Sequence, residues 1–244
     1  MNPQPSALDV EVGGHIVWHV FGWAWNVDTI LGTLIAGAIV LGLGFYLRSR
    51  LSVTKPSGVQ LFYETVVSQV EEQVESTMGV RTAPFVVPLA VALFLFILIA
   101  NWLSIIPTGH HPEYVPPPAS DADLPYALAL LVIVLMHVTG IRRRGFRGYY
   151  HHLVTPHWAM LPINIIEEIV RPVTLALRLF GNIFSGVVMV SLIALFPAWL
   201  LWAPNAVWKL FDMFIGLIQA FIFALLTVLY FASVKPDEEG APAH

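Results

Sequence analysis

The chain has 244 residues, 57% hydrophobic and 11% charged, against roughly a quarter charged in soluble domains. With a mean hydropathy of +0.74, that composition excludes an ordinary soluble enzyme and indicates an integral membrane protein. Cysteine is absent, which excludes disulfides and thiolate metal sites, and the formal charge of -4 matters less than where the charges fall.

Residues 1–27 mix His15 and His19 with Trp18, Trp23 and Trp25, aromatics of the kind that sit at headgroup level before a span. No basic region precedes the first apolar run, so this stretch does not resemble a cleaved signal peptide. It is expected to be an external N-terminal segment, with residues 28–235 forming a single membrane domain. Within that domain, residues 29–47 are uncharged and long enough to span. Gly32, Ala36 and Gly37 give the span a small-residue side for close helix packing. Arg48, Arg50 and Lys55 follow, which places this end in the cytoplasm.

Residues 58–78 follow a different pattern. Val59, Phe62, Val66, Val70 and Val74 recur at three- and four-residue steps against Glu64, Glu71, Glu72 and Glu75. This spacing predicts an amphipathic helix on the cytoplasmic surface, its acidic face solvated or turned to a protein partner. Residues 82–106 form a second uncharged span that returns outward. Asn101, near its far end, is expected to bond a neighbouring helix, with a place on a proton path as the alternative. The stretch from Pro107 to Asp123 is rich in proline and acid and has no Lys or Arg, so it reads as an extended external loop.

A third span, residues 124–141, runs inward to Arg142, Arg143, Arg144 and Arg147. This is the strongest orientation signal in the chain. Beside a span, such a cluster points to anionic lipid headgroups rather than nucleic acid. His137, within that span, suits either a packing bond or a proton path. Residues 158–195 then read as a long helix running outward, more than about 50 Å at full extension and too long to stand upright in the bilayer. Pro156, Pro162 and Pro172 can start or bend it. After an external turn, residues 206–234 form a second long oblique helix, and residues 236–244 a short cytoplasmic tail expected to be disordered. The fold class is therefore all-α integral membrane, with three upright transmembrane helices, one surface amphipathic helix and two long tilted membrane helices. The N-terminus is expected outside and the C-terminus in the cytoplasm.

The chemistry lies in the two oblique helices. At about 100° per residue, Glu168, Arg171, Arg178 and Asn182 fall within roughly 40° of Asn164. Glu167 lies about 60° from Asn164, still on that side. An ionisable group at bilayer depth costs roughly 2.5–3.5 kcal/mol on insertion scales, so a helix carrying several along one face is expected to meet water or a partner's charge. On the last helix, Asp212, Gln219 and Tyr230 share a face. Antiparallel packing could bring Gln219 close to Arg178 and Asn182. The expected topology puts Asn164, Glu167, Glu168 and Arg171 toward the cytoplasm, Arg178 near the middle and Asp212 toward the outside. A carboxylate beside water can pass protons. An arginine, effectively always protonated, cannot relay them. The arrangement thus makes two half-channels with a barrier between them. Helix packing remains the other reading for Asn182 and Gln219, and snorkelling interfacial charge the other reading for Glu167, Arg171 and Lys209.

The run LRLFGN around Arg178, preceded by EE and RP, and the stretch LIQAFIFALLTVLY from Leu217 to Tyr230 resemble subunit a of the F-type ATP synthase. The resemblance covers most of the chain, and its two motifs agree in order and spacing. It implies a ring of small hairpin subunits as partner, each with one mid-membrane carboxylate, together with peripheral-stalk b-type subunits. A proton entering past Asp212 would neutralise a ring carboxylate, and nearly one turn later it would leave past Glu168 and Glu167. Arg178 would attract the ionised carboxylate and block a direct leak. Arg178, Asn182 and Gln219 match the family's motif directly. Other members often carry an acid where Val187 stands, and many a histidine where Asp212 stands; the acid of the outer path here sits on the last helix. Some members place their inner acid at the position of Asn164. Glu167 and Glu168 are helix neighbours and cannot face the same way, and Glu168 is taken for the channel. The resemblance also implies a bacterial inner or plasma membrane, with no cofactor and no metal. The chain has no GxxxxGK[ST] loop, so any ATP chemistry belongs to other subunits. An ion-coupled secondary transporter is the alternative, but its usual internal repeat is absent from this sequence.

Overall fold

The computed structural model describes residues 17–20, 23–53, 55–79, 84–103, 123–154, 191–197 and 199–233, with single positions and short runs between 166 and 189. A hairpin comes first. Strands β1 (Val17–Val20) and β2 (Trp23–Asn26) pair antiparallel, Trp18 opposite Trp25 and Val20 opposite Trp23. Valine and tryptophan suit strands, yet each strand is too short for its alternation to be read from sequence. Every other regular element described is a helix.

Helix α1 (Val27–Arg50) contains the expected first span. Its inward positions, Thr29, Gly32, Ala36 and Leu47, recur at helical steps, and the helix packs against α3 (Val86–Leu103). Gly32 and Ala36 belong to the expected small-residue side. Gly37 does not, since a Cβ there would meet nothing within 4 Å.

Helix α2 (Gly58–Thr77) is capped by Ser57, whose hydroxyl accepts from the Gln60 backbone N–H at 3.2 Å, the usual way to satisfy an orphan donor at a helix start. The Gln60 side chain donates to the Ser52 carbonyl (3.1 Å) and to the Glu64 carboxylate (2.7 Å), and accepts from the Ser52 N–H (3.2 Å). It thereby ties α2 back to the turn after α1. The expected apolar stripe is corrected at its start. Val59 and Phe62 are exposed, and the inward line runs through Gln60, Tyr63, Val66, Val70, Val74 and Met78. The acids Glu64, Glu71, Glu72 and Glu75 do lie on the exposed side.

Helix α3 is buried on nearly every side, as a uniformly apolar helix should be. Helix α4 (Asp123–Val154) holds the expected third span in its first part and is broken at Gly145, where φ is 70° and ψ 160°. Glycine adopts that backbone without the penalty of a Cβ. The described positions between 166 and 193 are helical; most of the expected 158–195 helix, the 107–122 loop and the 236–244 tail lie outside the described residues. Helix α5 (Trp202–Ala232) completes the set.

The heart of the fold is α3 against α5, and the pair is antiparallel. Phe85, just before α3, meets Phe231 at the end of α5 edge to face, with centroids 5.4 Å apart. At the other end Trp102 reaches Met213. Val74, Ile97, Met136, Phe223 and Val228 fill the space between α2, α3, α4 and α5. Among the described residues, three helices are long and apolar enough to cross a membrane: Thr29–Arg50, Val86–Leu103 and Trp202–Ala232. The apolar part of α4, Tyr126–Arg142, is shorter.

Candidate functional site

The polar groups of α5 lie where α3 ends. Asp212, Gly216 and Gln219 follow one another at four- and three-residue steps, so they share a face. Opposite them, buried Asn101 donates from Nδ2 to the Gly216 carbonyl at 3.2 Å, and Trp102 donates from Nε1 to the Met213 carbonyl at 3.3 Å. These two bonds fix the height of α5 against α3. The absence of a side chain at 216 makes the approach possible. A Cβ there would stand 3.0 Å from the Asn101 Cβ, closer than packed carbon atoms tolerate.

Asp212 is partly buried, and its carboxylate faces a second helical segment. One of its oxygens lies 3.7 Å from where a Cβ on Gly186 would stand. Gly186 is helical, as are its described neighbours Phe184 and Ser185. Lys209 sits one turn before Asp212, within electrostatic reach. Gln219 is 5% exposed, and its amide nitrogen has no hydrogen-bond partner among the described residues. Leaving such a donor unsatisfied costs roughly 1–3 kcal/mol, so it marks a place where water or another polar group belongs. The site is thus a carboxylate within an apolar span, beside a buried amide and a glycine-lined approach of two other helical segments. It can take up and release a proton. Among the described residues no three histidine or acidic side chains converge to hold a metal.

Of the residues singled out from sequence, the structure brings Asp212 and Gln219 onto one face with Gly216 between them. Asn164, Glu167, Glu168, Arg171, Arg178 and Asn182 lie outside the described residues. Asn101 makes the interhelical bond expected of it. His137 donates from Nδ1 to the Ile133 carbonyl at 2.8 Å, within its own helix. Sequence reasoning passed over Gly186, whose small size two residues beyond Phe184 was a usable signal, and Asn205 and Trp208, which precede Asp212 at three- and four-residue steps.

Residues 30–232 match the family model described as ATP synthase A chain. The chain is 53% identical over 241 residues to the ATP synthase subunit a of Mycobacterium marinum, covering 96% of both proteins. It is 51% identical to that of Acidothermus cellulolyticus, over 94% of this chain and 84% of the relative. A more distant relative, the ATP synthase subunit a of Desulforamulus reducens, is 32% identical over 91% of this chain and 84% of its own length.

Proposed function

Because the chain belongs to the ATP synthase A chain family, we propose that it is the proton-translocating stator subunit of a rotary ATP synthase, forming two offset half-channels separated by Arg178. Its partners are a ring of hairpin subunits, each with one membrane-embedded carboxylate, and b-type subunits of a peripheral stalk. The chain binds no nucleotide and is not an enzyme on its own. It lies in the cell membrane with its N-terminus outside, the orientation that puts the Arg and Lys clusters between the spans on the cytoplasmic side, as the positive-inside rule favours.

In the outer half-channel Asp212 takes a proton from outside and passes it to a ring carboxylate, with Asn182 and Gln219 lining the route. The neutral ring site can then enter lipid, because desolvating a neutral acid costs far less than desolvating a carboxylate. In the inner half-channel Glu168 and Glu167, with Asn164 and Arg171, receive the proton on its way to the cytoplasm. Arg178 stays charged throughout. It draws the ionised ring carboxylate out of lipid and repels a proton that would pass directly between the half-channels. Each charge moved gains about 2.3 kcal/mol per 100 mV of membrane potential.

The observation that carries this reading is Asp212 facing Gly186. If the two helical segments run antiparallel, seven residues back from Gly186 and seven forward from Asp212 lead to residue 179 and Gln219. In that register, the one proposed, Arg178 is level with Gln219, one half-channel acid on the outer side and the others on the inner. The test is Asp212→Asn in the assembled complex, reconstituted in liposomes. ATP-driven proton pumping is expected to fall by roughly two orders of magnitude or more, about the contribution of one proton-transfer group, with the complex still assembled. Pumping at the wild-type rate would remove Asp212 from the path.

A further inference from the structure

Three side-chain polar atoms on α5 are shut off from solvent and have no hydrogen-bond partner among the described residues: Asn205 Oδ1, Trp208 Nε1 and Gln219 Nε2. At about 100° per residue, these three and Asp212 fall within an arc of roughly 60°. The opposite side of the helix carries Val207, Leu210 and Phe214, all exposed apolar residues. The polar arc is the side that meets α3 through Gly216 and approaches Gly186 through Asp212. Gln219 and Asp212 belong to the proposed proton route. Asn205 and Trp208 have no part in that route as proposed.

Local structure does not account for them. Asn205 lies inside α5 rather than at its cap, which is Leu201, and its backbone N–H is already bonded to the Leu201 carbonyl at 3.3 Å. The Trp208 ring packs on Phe211, centroids 5.3 Å apart, which explains the ring but not its N–H. The spacing is informative. Asn205 to Trp208 and Trp208 to Asp212 are rises of about 4.5 and 6 Å along the helix. One water making two hydrogen bonds bridges polar atoms about 5.5 Å apart, and buried water typically joins such otherwise unsatisfied groups.

We propose that Asn205 and Trp208 form the mouth of the outer half-channel and hold a short file of water that delivers protons to Asp212. The inference rests on the proton-path reading given above. The Asn205 carbonyl oxygen accepts from the water and the Trp208 N–H donates to it, so neither side chain gains or loses a proton. A hydronium relayed along the file transfers one proton to the Asp212 carboxylate, leaving a neutral acid and a water molecule. Asn205 and Trp208 are positioning residues that orient the water and keep it in line.

The sequence has no cysteine, so an introduced thiol is unique in this subunit. Asn205→Cys, Trp208→Cys and, as a lipid-facing control, Leu210→Cys are assembled in the complex and treated with silver ion, a small cation that reaches thiols through water. Silver is expected to inhibit ATP-driven pumping in the first two and spare the third. Trp208→Phe, which keeps a ring and removes the N–H, is expected to pump roughly fivefold more slowly at an unchanged level of assembled complex. Asn205→Gln should restore most of the pumping that Asn205→Leu loses. Silver insensitivity at 205 and 208, with normal pumping by Trp208→Phe and Asn205→Leu, would overturn the proposal. Arg178→Ala in the same membranes separates this result from the parent reading. Its loss of pumping leaves the two half-channels standing whatever the mouth shows, whereas normal pumping removes both.

Discussion

Gly216 is the single glycine of α5, and its missing side chain decides what Asn101 can do. With only 3.0 Å between a Cβ at 216 and the Asn101 Cβ, Gly216→Val must push α3 and α5 apart at the height of Asp212 and Gln219. A cost of roughly 1–3 kcal/mol is expected, read as a lower thermal midpoint of the purified complex, with pumping reduced further because the polar face is displaced. Asn101→Leu should cost about 1 kcal/mol, the net worth of one hydrogen bond, and a midpoint equal to wild type would show that bond to be idle. Gln219→Leu separates two roles. Removing a buried amide whose nitrogen is unsatisfied among the described residues is close to neutral for stability, so unchanged stability with impaired pumping is the outcome expected for a proton-path residue. Asp212, Gln219 and Asn101 were legible because each is a polar side chain in an apolar run, where only a partner or a function repays its burial. The closeness of Asp212 to Gly186 was not legible. It depends on the register between two helices distant in sequence, and an apolar pattern that tolerates sliding leaves that register open.

Helix α2 shows what a periodic pattern can and cannot reveal. Its existence and its acidic exposed side follow from spacing alone, but the buried line passes through Tyr63 rather than Phe62. At 3.6 residues per turn the two positions start nearly equivalent stripes; the side chain of Gln60, bonded back to Ser52, selects between them by fixing the start of the helix. Two substitutions weigh the two faces. Val74 is fully buried, and Val74→Ala should destabilise by about 1–3 kcal/mol through the cavity it leaves. Glu71→Gln on the exposed side should stay within about 0.5 kcal/mol of wild type. Chemical denaturation of the solubilised complex, followed by α2-specific proteolysis, reads both. Equal sensitivity of the two positions would mean that the exposed face is covered in the assembly. The hairpin at Val17–Asn26 and the break at Gly145 were beyond reach for a different reason. Four-residue strands and a single positive-φ glycine leave no periodic trace.

At the scale of the whole molecule, the apolar spans and the family's motifs carry the identification, while the direction of the chain across the bilayer rests on its basic clusters. Gly240→Cys is therefore expected to react with a membrane-impermeant maleimide only when the cytoplasmic face is exposed, and reaction from the outer face would invert the proposed topology. The antiparallel pair of α3 and α5 is tied at Phe85–Phe231 and at Asn101–Gly216, which fixes the height of α5 and so of the acid it carries. In the proposed mechanism that fixed height matters, because a proton handed over an extra ångström or two is a proton poorly transferred. The arginine between the half-channels is the claim on which the rest depends. The most direct measurement compares Arg178→Ala with wild type in vesicles carrying the assembled complex, recording ATP-driven proton pumping and the passive proton leak after an imposed gradient. Pumping is expected to vanish with the assembly intact, whatever happens to the leak. Pumping at the wild-type rate would contradict the account and return the polar stripe to helix packing.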